Sequence, residues 1–202
     1  MFRRLCWIAF LLMGHSASRG SAIADGNQSP CTTARAYRDR ATASYRRHDL
    51  ISTVNELREA VRLCPTEPSY KFMLGNALYR AEALQESAKS YEAFLELRPD
   101  FFEAHMSLGF VLFELDYKQK AVDQWRIAEE TEPESPFARA ALAAGFYAIG
   151  DVDNALIQYE TAITIDPRYG QPEALAIDIR WKPALRAILG NLKDLIKIEG
   201  EK

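Results

Sequence analysis

The chain holds few residues of the kinds that do chemistry. It has three histidines, three cysteines, three tryptophans and four methionines among 202 residues. Three cysteines are too few for a disulfide scaffold. No glycine-rich phosphate loop, no His-x-x-x-His, no Gly-x-Ser-x-Gly and no Cys-x-x-Cys occurs. Charge of one sign is also lacking: 25 basic residues face 28 acidic ones, so nothing marks nucleic acid as the main partner. The longest apolar run, Leu5 to Met13, has nine residues. As a helix it covers roughly 14 Å, about half of a bilayer's hydrocarbon core, which argues against a permanent membrane span. What is left is an ordinary globular composition, 48% hydrophobic and 26% charged, long enough to bury a sizeable core.

That short run sits in a recognisable context. Arg3 and Arg4 precede it, and small polar residues follow it as far as Ala22-Ile23-Ala24. A basic start, a short apolar middle and an Ala-x-Ala end are the three zones of a cleaved export signal. Residues 1–24 are therefore expected to be removed, leaving a protein of the periplasm or the extracellular space. An uncleaved anchor is the alternative. Cleavage takes away three arginines and no acid, so the mature chain carries 22 basic and 28 acidic residues. It also takes away Cys6 and leaves two cysteines, Cys31 and Cys64, in a compartment where disulfides persist.

Pro65, Pro99, Pro133 and Pro167 recur at an interval of 34. A fixed period of this size means repeated supersecondary units. Each proline follows a helical apolar pattern that it cannot continue. In the last unit Ser135 can cap a helix that begins at Pro136, and Gly150-Asp151 separates it from a second helix with Ala155, Leu156, Tyr159, Ala162 and Ile163 on one face. Two helices in 34 residues, joined by a short turn, are antiparallel neighbours.

Residues 34–169 resemble the tetratricopeptide repeat (TPR) family. The matching positions are Leu74, Gly75, Tyr91 and Pro99 in one unit; Leu108, Gly109, Ala121, Trp125, Ala128 and Pro133 in the next; and Leu142, Ala155, Tyr159, Ala162 and Pro167 in the last. The first unit matches only at Tyr37, Ala60 and Pro65, with Arg40 and Ser44 at core positions. Lys71, His105 and Arg139 stand where the family has an aromatic, and Phe94 stands where it has a small residue. The resemblance implies an all-α, right-handed α-solenoid of four antiparallel helix pairs, over 34–67, 68–101, 102–135 and 136–169. A lead over 25–33 precedes them. Residues 170–202 follow, read as a short helix over 172–180 and a longer one from Pro183 to Ile198, forming a C-terminal cap. The face carrying Leu185, Ile188, Leu189, Leu192, Leu195 and Ile196 leaves a second reading open, weak homodimerisation through that helix.

The cysteines lie just before the first helix of the first unit and at the end of its second. An antiparallel hairpin puts those ends side by side, so a Cys31–Cys64 disulfide is expected, two free thiols being the alternative. His105 occupies a position that is normally packed and reads as a satisfied core imidazole. The acidic stretch Asp123, Glu129, Glu130, Glu132 and Glu134 lacks the spacing of a calcium loop and reads as a solvated face. No metal or cofactor is implied, and no catalytic site can be assembled.

The resemblance further implies a concave groove lined by the first helix of each pair. Its candidate partner-binding residues are Arg35, Arg38, Tyr45, Arg46, Phe72, Asn76, Tyr79, Arg80, Met106, Phe110, Phe113, Phe137 and Tyr147. Such a groove is aromatic along its length and basic at its N-terminal end. It suits a protein or peptide segment with apolar and acidic side chains. Glu103 and Ser107 stand where the family's chaperone-carboxylate clamps need basic residues, which excludes that specialised use. The expected function is a non-catalytic scaffold or adaptor, serving envelope assembly or secretion.

Overall fold

The computed structural model describes residues 29–178 and 180–200. The expected signal at 1–24 lies outside the described residues. Eight α-helices form four antiparallel pairs: α1 (Pro30–Arg46) with α2 (Leu50–Leu63), α3 (Pro68–Arg80) with α4 (Leu84–Leu95), α5 (Phe102–Glu114) with α6 (Lys118–Thr131), and α7 (Pro136–Ala148) with α8 (Val152–Ile165). Each pair packs on the next through α2 on α3, α4 on α5 and α6 on α7. Two 3-10 turns, Pro167–Gly170 and Pro172–Ile177, lead to α9 (Pro183–Gly200), which packs on α7 and α8. Helix α1 starts ahead of residue 34 because the Ser29 hydroxyl accepts from the Thr32 N–H and Pro30 takes the first helical position.

The turn inside every pair is built the same way. The N–H groups of Asp49, Ala83, Tyr117 and Asp151 reach back to the carbonyls of Ser44, Leu78, Leu112 and Phe146. The preceding residues, His48, Glu82, Asp116 and Gly150, all have positive φ, between 57° and 87°. This is the left-handed helix end that satisfies the last carbonyls. Only the fourth turn uses the residue that adopts it without strain.

The departures from the family pattern have structural partners. Lys71 Nζ, His105 Nε2 and Arg139 Nε each meet the carbonyl of the proline six residues earlier, Pro65, Pro99 and Pro133, at 2.7, 2.6 and 3.0 Å. A proline carbonyl only accepts, so these side chains donate, and each unit is tied to the end of the one before. His105 is buried, and its Nδ1 lies 2.8 Å from Gln124 Oε1. Phe94 joins Phe72 and Phe101 in a cluster with ring centroids 5.1–5.5 Å apart, filling the seam between the second and third units.

The small positions make room for an aromatic ring. The nearest atoms to a Cβ added at Gly75 are those of the Tyr91 ring, at 2.7 Å, and at Gly109 those of the Trp125 indole. Glycine is required because the large aromatic of the second helix lies flat against the first. The Gly75 carbonyl meanwhile accepts from the Ser87 hydroxyl.

One continuous core runs from the second unit to α9, while the first unit contributes to two small clusters. Arg40 lies outside the core, paired with Glu56 at 3.0 Å and stacked over Tyr37. Cys31 and Cys64 are joined by a disulfide, with Cα atoms 4.8 Å apart. The expected helix over 172–180 is a 3-10 turn ending at Ile177. Leu185, Leu189 and Leu192 of α9 are fully buried within the chain. Ile188, Leu195 and Ile196 of the same face are half-buried.

Candidate peptide-binding groove

The first helices α1, α3, α5 and α7 carry the thirteen candidate residues, and the structure divides them into an open and a filled half. In the open half Arg35, Arg46, Asn76 and Arg80 are exposed, and Tyr45 is 41% exposed. Arg80 lies over the Tyr45 ring at 5.2 Å. Among the described residues no carboxylate pairs with Arg35, Arg46 or Arg80. Arg38 differs: its Nε is buried 2.8 Å from Asp39, without hydrogen-bond geometry.

A cavity of about 460 Å³ opens here. Tyr45 and Thr42 of α1, Leu57 of α2, Phe72, Met73, Asn76 and Tyr79 of α3, and Tyr91 of α4 form most of its wall. Arg80, Glu103, Ser107 and Arg180 contribute the remaining polar groups. Asn76 accepts a hydrogen bond from the Tyr91 hydroxyl at 2.7 Å, which fixes the amide at the cavity wall. Burial pushes the Tyr91 phenol up to about 12. Tyr79 is shifted further in the same direction, by burial and by its hydrogen bond to Glu114. Both are neutral hydroxyls at ordinary pH. The cavity is therefore an apolar, hydroxyl-bearing wall with arginines at its rim.

In the other half the expectation needs correcting. Met106 and Phe110 are completely buried, and Tyr79 nearly so. Phe113, Phe137 and Tyr147 are half-buried against the core. Trp181 is 3% exposed and sits edge-on to Phe110 at 5.5 Å, to Phe137 at 5.8 Å and to Tyr169 at 6.3 Å. The Arg180 guanidinium lies 4.5 Å over the Phe137 ring. Lys182 Nζ is 3.7 Å from Glu114 Oε2 and 5.6 Å from the Tyr79 ring. Phe110, Phe137 and Tyr79 thus face the chain's own residues 180–182. Arg180, Leu57, Met73 and Ser107 were absent from the candidate set. Leu57 lies on a second helix. Arg180 lies beyond the repeats, where no register assigns it a face.

No protein-family description matches the chain, and no curated protein matches it. Solved structures do. MamA from Desulfovibrio magneticus RS-1, residues 41 to the end, is 20% identical over 81% of this chain and 95% of that one, with a TM-score of 0.65. YrrB, described as a TPR protein with an unusual peptide-binding site, is 20% identical over 78% of this chain and 84% of that one, at 0.61. The first TPR of Spaghetti (RPAP3), bound to the HSP90 peptide SRMEEVD, is 14% identical over 59% of this chain and 95% of that one, at 0.56. The fold is that of the tetratricopeptide-repeat proteins, an all-helical solenoid of stacked antiparallel pairs.

Proposed function

We propose that this chain is an exported, non-catalytic scaffold that holds an extended segment of a partner protein in the open, N-terminal half of its groove. The observation that carries this reading is the aromatic cavity beside Tyr45 and Phe72, with Arg80, which pairs with no carboxylate among the described residues, at its rim. An apolar side chain of the partner enters the cavity, and its acidic groups pair with Arg80 and Arg46. Two of the structural relatives are described with peptides or a peptide-binding site, which supports the same use of the fold. The Cys31–Cys64 disulfide supports export, because such a bond persists in oxidising compartments. A role in envelope assembly or secretion follows by analogy of fold.

The test is capture from the native envelope with wild-type protein and with the double variant Arg46→Glu, Arg80→Glu. Both arginines are exposed, so helicity is expected to be unchanged. The partner retained by the wild type is expected to be lost from the variant. Equal capture by both proteins would remove the groove from the account.

A further inference from the structure

The filled half of the groove has an occupant whose chemistry can be read. Arg180, Trp181 and Lys182 belong to none of the repeats and lie between the second 3-10 turn and α9. Yet, besides Tyr169 and Glu114, they touch residues that the repeat register alone assigns to the groove: Phe110, Phe137 and Tyr79. Three different side-chain recognitions occur side by side. An aromatic slot takes an indole by its edges. A phenylalanine face takes a guanidinium. A carboxylate, shared with a tyrosine hydroxyl, takes an ammonium.

The attachment is made without main-chain bonds to the repeats. Among the described residues, the backbone hydrogen bonds of these three residues go to their immediate neighbours and to Arg186, and none goes to α1 through α8. Arg180 is clasped by Asp178 at 2.5–3.0 Å, again within the segment. Burial of Asp178 opposes its ionisation, but the Arg180 hydrogen bonds outweigh it and hold the carboxyl below its ordinary value. The stretch thus arrives at the groove as a pre-formed unit, anchored there by side chains alone. It is also continuous with the open half, because Arg180 forms part of the cavity wall.

We propose that the C-terminal half of the groove is a recognition site for an extended segment in which arginine, tryptophan and lysine follow one another, and that residues 180–182 are the chain's own copy of that ligand. A partner segment of the same chemistry gains the site by exchange with them. This goes beyond the reading of the open half and stands or falls separately, since the partner of the open half takes no part in the experiment.

The probe is a fluorescein-labelled synthetic peptide with the sequence of residues 176–184, followed by anisotropy. The protein is the mature full chain, wild type and the double variant Arg180→Ala, Trp181→Ala, with helicity of both checked by circular dichroism. The variant is expected to bind the peptide. If the internal copy occupies the site about 99% of the time, the wild type binds roughly a hundredfold more weakly. A peptide with its arginine and tryptophan replaced by alanine binds neither. A variant that retains helicity but binds no better than wild type overturns the proposal. Hydrogen exchange on the wild type gives a second, independent decision. The Arg180, Trp181 and Lys182 amides are expected to open while α7, α8 and α9 stay protected. Exchange of these amides only when α9 itself unfolds would make the stretch a fixed plug and overturn the proposal too.

Discussion

Replacing both Cys31 and Cys64 with serine tests how the first helix pair is held to the array. The disulfide joins residues 33 apart in sequence. Closing a loop of that length removes unfolded-state entropy worth about 3.7 kcal/mol at 25 °C in the chain-entropy account. The folded first unit has little to set against such a loss. Its apolar contacts are the small groups around Ala34, Ala60, Cys64 and Tyr70 and around Ala41, Val54, Leu57 and Leu78. Ser44 is buried where a larger apolar side chain is usual, and Arg40 points away. In an array each unit touches only its neighbours, so the loss falls on α1 and α2 and not on the whole chain. About 3.7 kcal/mol corresponds to a roughly 500-fold rise in local opening. Hydrogen exchange followed by mass spectrometry reads this directly. Amides of α1 and α2 in the double serine variant are expected to exchange faster by about that factor, with α5 to α8 unchanged. Protection of α1 within about tenfold of the oxidised protein would show that packing, and not the cross-link, keeps the first pair folded. A uniform loss of protection across all units would refute the nearest-neighbour reasoning.

Two glycine substitutions of the same kind are expected to have opposite signs. Gly109→Ala drives a methyl into the buried Trp125 indole and is expected to cost about 2 kcal/mol, whereas Gly190→Ala meets nothing within 4 Å on α9 and is expected to gain up to about 1 kcal/mol of helix propensity. Urea denaturation of both variants decides it, and equal effects would contradict the packing at Gly109. Alkali is expected to unfold the array through its buried phenols. Tyr91 and Tyr159 are pushed up to about 12 by burial, so they stay neutral in the fold where an unfolded chain ionises near 10. Their stabilising contribution is complete below about pH 10 and is lost as the pH rises through about 12. Phenolate absorbance and circular dichroism recorded together should change in one step for these two residues; ionisation with the helices intact would contradict their burial.

The repeat was legible because its information is local and recurs. Proline at the end of each unit, Gly75 and Gly109 at the close approach, and Tyr91 and Trp125 opposite them all sit within one unit's length of their partners. The left-handed turn was legible only at Gly150, since His48, Glu82 and Asp116 adopt it without the residue type that announces it. The donors Lys71, His105 and Arg139 read as departures from a pattern, because their partner is a main-chain carbonyl, which leaves no trace in residue types. In the candidate groove the open half matched its register: Tyr45, Phe72, Asn76 and Arg80 line one cavity. Phe110 did not match, because a register states which way a helix face points and says nothing of what another part of the chain lays on it.

The amino-acid sequence by itself determined the helix pairs, their order and the placing of Cys31 and Cys64 at neighbouring helix ends. Each of these follows from periodic spacing and from short-range constraints on proline, glycine and chain reversal. The tertiary structure alone decided where Trp181 and Arg180 come to rest, and so which half of the groove stands open. Those residues lie outside the period, and a single buried indole finds its place through contacts with Phe110 and Phe137, which are remote along the chain and carry no mark of the encounter.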